Sequence, residues 1–211
     1  HIGDGQFLRH PPIVLGDSTL GIIGNDDCRK PDVEALSDGS FMVVWPRHDL
    51  DKNQPSRLET ARIILRNPVN GSLYSQPIIN APQNGVGYLL DDNIDQGIAG
   101  VMPDIAPYLN QQPGRAHVVY AHESGRGHST NNLLTEYEIR EVTVDWRQPS
   151  TSANFSTTPI VLEHSIPFDQ PNDDLFPGGL ILPDAVVDDY GNLVVSWESY
   201  LRKGHLSYTG D

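Results

Sequence analysis

Residues 31–45 read Pro31-Asp-Val-Glu-Ala-Leu-Ser-Asp38-Gly39-Ser-Phe-Met-Val-Val-Trp45. Proline is tolerated at the first residue of a strand, where its missing N–H leaves no gap in a ladder. Asp38-Gly39 between two apolar runs is the dipeptide of a tight hairpin, because glycine reaches positive φ without a Cβ clash. Residues 40–47 that follow are rich in β-branched and aromatic side chains, which suit a pleated, half-buried surface. The stretch therefore predicts a short strand over 31–37, a hairpin turn, and a longer strand over 40–47.

The same phrase recurs twice. Pro103-Asp104-Ile105 leads to Gly114 and Val118-Val119-Tyr120, and Pro183-Asp184-Ala185 leads to Gly191 and Val195-Ser196-Trp197. In all three copies the aromatic stands six residues after the glycine. A second motif falls between them: Pro12-Ile13-Val14-Leu15, Pro77-Ile78-Ile79-Asn80 and Pro159-Ile160-Val161-Leu162. Each precedes a stretch with an acidic pair, Asp26-Asp27, Asp91-Asp92 or Asp173-Asp174.

Between these landmarks the chain supplies two more strands per unit. Residues 58–66 and 73–80 flank the turn Asn70-Gly71, and the second unit repeats the order over 104–109, 115–122, 133–146 and 157–163. Near Arg140-Glu141 the apolar alternation slips by one residue, which suggests a β-bulge. Four-stranded antiparallel units in tandem are the signature of propeller blades, each relying on its neighbours to bury its faces. The expected fold is thus all-β, a β-propeller with about two complete and two partial blades. The competing architecture is a string of small β-sandwich domains. The expected organisation is an N-terminal arm with a fourth-type strand (1–30), a blade (31–81), an acidic loop (82–102), a blade (103–164), a loop (165–182) and a partial blade (183–211).

PDVEALSDGSFMVVW resembles the repeat units of bacterial extracellular β-propellers, particularly those of large secreted calcium-binding, adhesin-like proteins. DDYGNLVVSW (residues 188–197) is similar to the strand-turn-strand of many propeller families. The resemblance implies the fold and an extracellular or secreted setting. It brings no catalytic residues, and the sialidase-type aspartate box is missing from the sequence.

Composition narrows the function. The 211 residues carry a formal net charge of −14. Nucleic acid and anionic membrane both need clustered Lys and Arg, so neither is an expected partner. No apolar run approaches the ~18 residues of a membrane helix, and no membrane insertion is expected. The lone Cys28 excludes an intrachain disulfide. Asn70-Gly71-Ser72 and Asn154-Phe155-Ser156 read as glycosylation sequons.

Four sets of residues could carry chemistry. Asp91, Asn93 and Asp95, followed by Gly97, place oxygen ligands at alternate positions, as a loop wrapping Ca²⁺ would require. A turn around water uses the same residue types. Asp49, Asp51 and Asn53 form a second metal candidate with the same alternation. Asp32, Asp104 and Asp184 each open an innermost strand, so they could ring the mouth of an axial channel, or accept local backbone hydrogen bonds. His48, Asp49, His122, Glu123 and Glu198 follow second strands and could meet at one end, as polysaccharide cleavage by a hydrolase or lyase would need. Trp45, Tyr120 and Trp197 share one repeat position and are expected as packing between blades.

The main expectation is an extracellular structural, adhesive or ligand-binding module, with Ca²⁺ as a stabilising cofactor and polysaccharide as a candidate ligand. A carbohydrate-active enzyme is the alternative. The start at His1 suggests a processed chain or a fragment. The fourth-type strand at 11–15 and a third-type strand at 204–209 are expected to join with missing blades or with other copies of the chain.

Overall fold

The computed structural model describes residues 26–28, 31–49, 56–81, 87–94, 102–109, 112–124, 136–147, 158–164, 175–176, 180–199 and 202–203. All regular structure among them is β, arranged in antiparallel sheets that do not close into a barrel.

The first sheet is built around β3 (Phe41–Asp49) and β4 (Ser56–Arg66). On the inner side of β3 run β1 (Asp26–Cys28) and β2 (Asp32–Ala35), paired with its two ends. On the outer side of β4 run β5 (Leu73–Asn80) and β6 (Tyr88–Ile94), again one at each end. The second sheet repeats this order in simpler form: β7 (Asp104–Pro107), β8 (Arg115–Ser124), β9 (Glu136–Asp145) and β10 (Ile160–His164). The third unit pairs β12 (Leu180–Val187) with β13 (Leu193–Ser199). A small sheet joins β11 (Leu175–Phe176) and β14 (Arg202–Lys203).

The repeat predicted from sequence is a repeat of register. Asp32 lies opposite Val44, Asp104 opposite Val119, and Asp184 opposite Ser196. The hairpin glycines that set this register, Gly39, Gly114 and Gly191, have φ of 80, 77 and 87°. Only glycine adopts that conformation without steric cost. The bond from the Gly39 N–H to the Leu36 carbonyl, at 2.9 Å, closes the first turn, and Gly191 to Asp188, at 3.0 Å, closes the third.

The sheets stack face on face. Met42, Val44, Leu58 and Leu90 of the first pack against Ile105, Val118, Tyr120, Val142 and Val144 of the second. Val119, Ala121 and Ile139, on the other side of the second sheet, pack against Ala185, Leu193 and Val195 of the third. Ala106 and Tyr108 meet Val187 at the inner end of that interface. Each fully buried Val, Leu or Ile contributes about 1.5–3 kcal/mol relative to exposure.

Two expectations need correction. The slip at Arg140-Glu141 is not a bulge in β9, whose pairing with β8 runs without interruption from Glu136 to Asp145. Both faces of this sheet are buried, so Ile139 serves one interface and Val142 and Val144 the other. The irregularity sits on the neighbouring strand, between Val161 and Glu163. The acidic stretch 82–102 is not a loop throughout, because Tyr88–Ile94 form β6 along β4. Leu90 and Asp91 are buried there, and β4 offers an open edge that the segment completes. The strands expected at 11–15 and 204–209 lie outside the described residues.

Candidate functional site

The repeated Pro-Asp places Asp32 and Asp104 at the starts of β2 and β7, on the face that meets the following unit, and Asp184 midway along β12. Asp32 Oδ2 accepts a hydrogen bond from the Ile105 N–H at 2.8 Å. Asp104 Oδ2 accepts one from the Ala185 N–H at 2.6 Å. The donor in each case is the residue just after the next unit's aspartate. A carboxylate accepting a backbone N–H makes a strong, charge-assisted bond, and here it ties consecutive inner strands together. Asp184 occupies the same position in the third unit, and its side chain is exposed. The three carboxylates share one register position on adjacent sheets, with the Glu34 charge near Asp104. Burial pushes the Asp104 carboxyl up to about 6, the negative charges of Asp32, Asp184 and Glu34 push the same way, and the Ala185 N–H opposes them.

The calcium candidates are placed differently. Asp91 is buried between the first and second sheets. Its Oδ2 accepts from the Tyr120 hydroxyl at 2.6 Å and from Arg140 Nη1 at 3.1 Å. Arg140 also donates to Glu138 Oε2 at 2.6 Å, and His122 Nδ1 lies 3.6 Å from the same oxygen. Burial and the adjacent Asp91 charge hold the Tyr120 phenol well above the ordinary tyrosine value. Asp91 thus answers a tyrosine and an arginine. Asn93 follows in β6, whereas Asp95, Asp51 and Asn53 lie outside the described residues, and Asp49 ends β3. Among the described residues no group of three or more His, Cys, Asp or Glu side chains is arranged to hold a metal.

Of the residues considered for catalysis, His122 is buried toward the first sheet, whereas Glu198 is exposed on the third. These two are not brought together. His48 is in β3 and Glu123 in β8.

The shared aromatic position divides. Tyr120 and Trp45 are buried. Trp45 packs so tightly on Gly87 that an added Cβ there would meet its ring at 2.7 Å. Behind it, Glu59 accepts from the Gly87 N–H at 3.0 Å and from Arg47 at 3.4 Å. Burial raises the Glu59 carboxyl against those two partners. Trp197 keeps 36% of its surface exposed, against expectation. The third unit has no described counterpart of β4 or β9, the strands that flank Trp45 and Tyr120.

One cluster had no counterpart in the sequence reading. The Tyr108 hydroxyl lies 2.6 Å from His117 Nε2, and His117 Nδ1 lies 2.7 Å from Glu141 Oε1. Thr143 donates to the same oxygen at 2.8 Å, and the Arg115 guanidinium sits 5.0 Å over the Tyr108 ring. The chain phenol–imidazole–carboxylate is buried in the second sheet. The available signal was His117, flanked by Ala116 and Val118, and Glu141 at the point where the apolar alternation of β9 slips.

No family model matches this chain, and no curated protein does. Among solved structures it is similar to an α-L-arabinofuranosidase from Lactobacillus brevis at 17% identity and a TM-score of 0.38, over 82% of this chain and 46% of that one. The chain spans about half the length of that enzyme.

Proposed function

We propose that the three stacked sheets are consecutive blades of a β-propeller, and that the chain serves as an extracellular structural, adhesive or ligand-binding module. The supporting observation is the paired clasp, Asp32 to Ile105 and Asp104 to Ala185. It uses the repeated Pro-Asp as an inter-blade fastener around a common axis, a structural role that accounts for its recurrence. The acidic inner edge favours cations or basic and neutral polymers over nucleic acid. The resemblance of the repeat to secreted propellers, and the two sequons, support the extracellular setting.

One observation favours a second reading, a carbohydrate-active enzyme. Asp104 holds its proton to about 6 beside Asp32, Asp184 and Glu34. A carboxyl poised near neutrality next to other carboxylates is the arrangement a glycosidic acid and its partner require.

The test is incubation with a panel of neutral and basic polysaccharides, read both as binding and as release of reducing ends. Binding without new reducing ends supports the module. Release that is lost in Asp104→Asn, with the fold retained, supports the enzyme. Absence of both binding and release overturns the ligand-handling role.

A further inference from the structure

The two internal junctions define what a blade face looks like when a neighbour covers it, and the two outer faces of the array can be compared with them position by position. Ile105 follows Asp104 and is 3% exposed under the first sheet, whereas Val33, which follows Asp32, is 56% exposed. The Ile105 and Ala185 N–H groups each donate to the preceding unit's aspartate. The Val33 N–H donates instead to its own Asp32 Oδ1, at 2.9 Å. The first unit thus presents the donor half of a clasp with a local substitute in place.

The third unit presents the acceptor half. Val186 and Val194 are register partners on the face that bears Asp184. They are 57% and 55% exposed. Their equivalents in the second sheet, Ala106 and His117, are register partners too and both are buried, Ala106 against Val187 of the third unit. Asp184 stands exposed where Asp32 and Asp104 each hold a neighbour's N–H.

We infer that two copies of this chain join head to tail, the Asp184–Val186–Val194 face of one seating on the Val33 edge of the other, with Asp184 accepting from the second copy's Val33 N–H. The occupant is chosen by continuity with the internal interfaces. Among the described residues the face lacks the aspartate's donor and an apolar partner, and the first described unit carries both in matching positions. A contact between two different surfaces is heterologous, so it closes into a ring or propagates. Two copies of the three described units supply six sheets, within the four to eight blades that propellers use. The inference rests on reading the sheets as consecutive blades.

The test uses light scattering and sedimentation of the whole chain with Val33→Asp and Val194→Asp. Both side chains are exposed, so each variant should keep its melting temperature. The wild type is expected at the mass of two copies and each variant at the mass of one. An equal mixture of the two variants should recover the two-copy mass, because one junction then pairs an intact Val33 edge with an intact Val194 face. A wild type of one-copy mass, variants that remain dimeric, or a mixture that stays monomeric each overturns the inference. A monomer in which Asp32→Ala and Asp104→Ala still lower stability overturns the junction and leaves the blade reading intact. If those two substitutions cost nothing, the blade reading itself fails.

Discussion

The carboxylate of Asp32 and the backbone N–H of Ile105 meet at 2.8 Å across 73 residues of sequence. Ile105 is buried, so without Asp32 that N–H loses a partner in a place water does not readily reach. Leaving a buried donor unsatisfied costs about 1–3 kcal/mol. Asp32→Ala should therefore lower stability by about that amount, while Asp32→Asn, which keeps an acceptor oxygen, should cost less. Urea unfolding of the two variants measures the difference. Equal losses would show that the hydrogen bond is not what Asp32 contributes.

Asp104 gives the clasp a pH dependence of unusual sign for a carboxylate. Its folded value is raised from 3.8 to about 6, first by burial and then by the neighbouring acids. Below 3.8 both folded and unfolded chains hold the proton. Between 3.8 and about 6 the folded chain binds more protons than the unfolded one, so this group's contribution falls as pH rises and is lost above about 6. Asp104→Asn should remove that loss. The variant's melting temperature, compared with wild type at pH 4 and pH 7, should improve relative to wild type at the higher pH. A difference that does not change with pH would contradict the assignment.

Tyr120 spans the first interface and ends on Asp91 at 2.6 Å. Tyr120→Phe keeps the ring in the core and removes the hydroxyl, leaving Asp91 with Arg140. The expected loss is about 1–3 kcal/mol, against about 3–5 kcal/mol for Tyr120→Ala, which opens a cavity as well. Thermal unfolding of both variants separates the bond from the packing. A Tyr120→Phe variant as stable as the wild type would mean that the Asp91 bond adds nothing beyond the ring.

How much of this was legible in the sequence follows from what repeats. Pro-Asp, the turn glycine and the aromatic recur at fixed spacing, so the strand pair and its register could be read from them, and the glycines have the positive φ that the turns demand. The three aspartates recur with the repeat, and they take one register position in the structure. Their donors could not be seen, because a clasp joins residues about 73 and 81 positions apart. Asp91 was misleading for a physical reason: alternating oxygen ligands describe a loop around an ion and equally a strand with one polar face. Only the pairing of β6 with β4 turns Asp91 toward Tyr120. His117 and Glu141 come together because β8 and β9 are neighbours, and neither residue belongs to the repeated phrase.

Gly87 lies against the indole of Trp45, and a Cβ there would also meet the Glu59 Cβ at 2.8 Å. Gly87→Ala is expected to cost about 1–3 kcal/mol through overpacking. Trp45→Leu alone should also destabilise, by loss of buried area. Combined, they should cost less than the sum, since the smaller side chain makes room for the methyl group. Strict additivity in a urea double-mutant cycle would remove steric contact as the cause.

The Tyr108–His117–Glu141 chain lies in the second sheet and should respond to acid in the opposite sense from Asp104. Burial pushes the Glu141 carboxyl up, yet the bonds from His117 and Thr143 outweigh it, and the net direction is below 4.5. A lowered folded value means that stability is present above the unfolded value and lost as pH falls through the folded one. His117→Phe fills the space but strips Glu141 of its main partner and leaves the Tyr108 hydroxyl facing a hydrocarbon ring. Removing one member of a buried pair typically costs about 3–5 kcal/mol, because the other charge is left uncompensated. Replacing both, as in His117→Phe with Glu141→Leu, removes the stranded charge and should recover much of that loss. The double variant should also lose the part of the acid sensitivity that Glu141 supplies. Urea midpoints at pH 4 and pH 7 for wild type, the single variant and the double variant measure both effects. A double variant no more stable than His117→Phe alone would mean that His117 contributes packing to this sheet and nothing through Glu141.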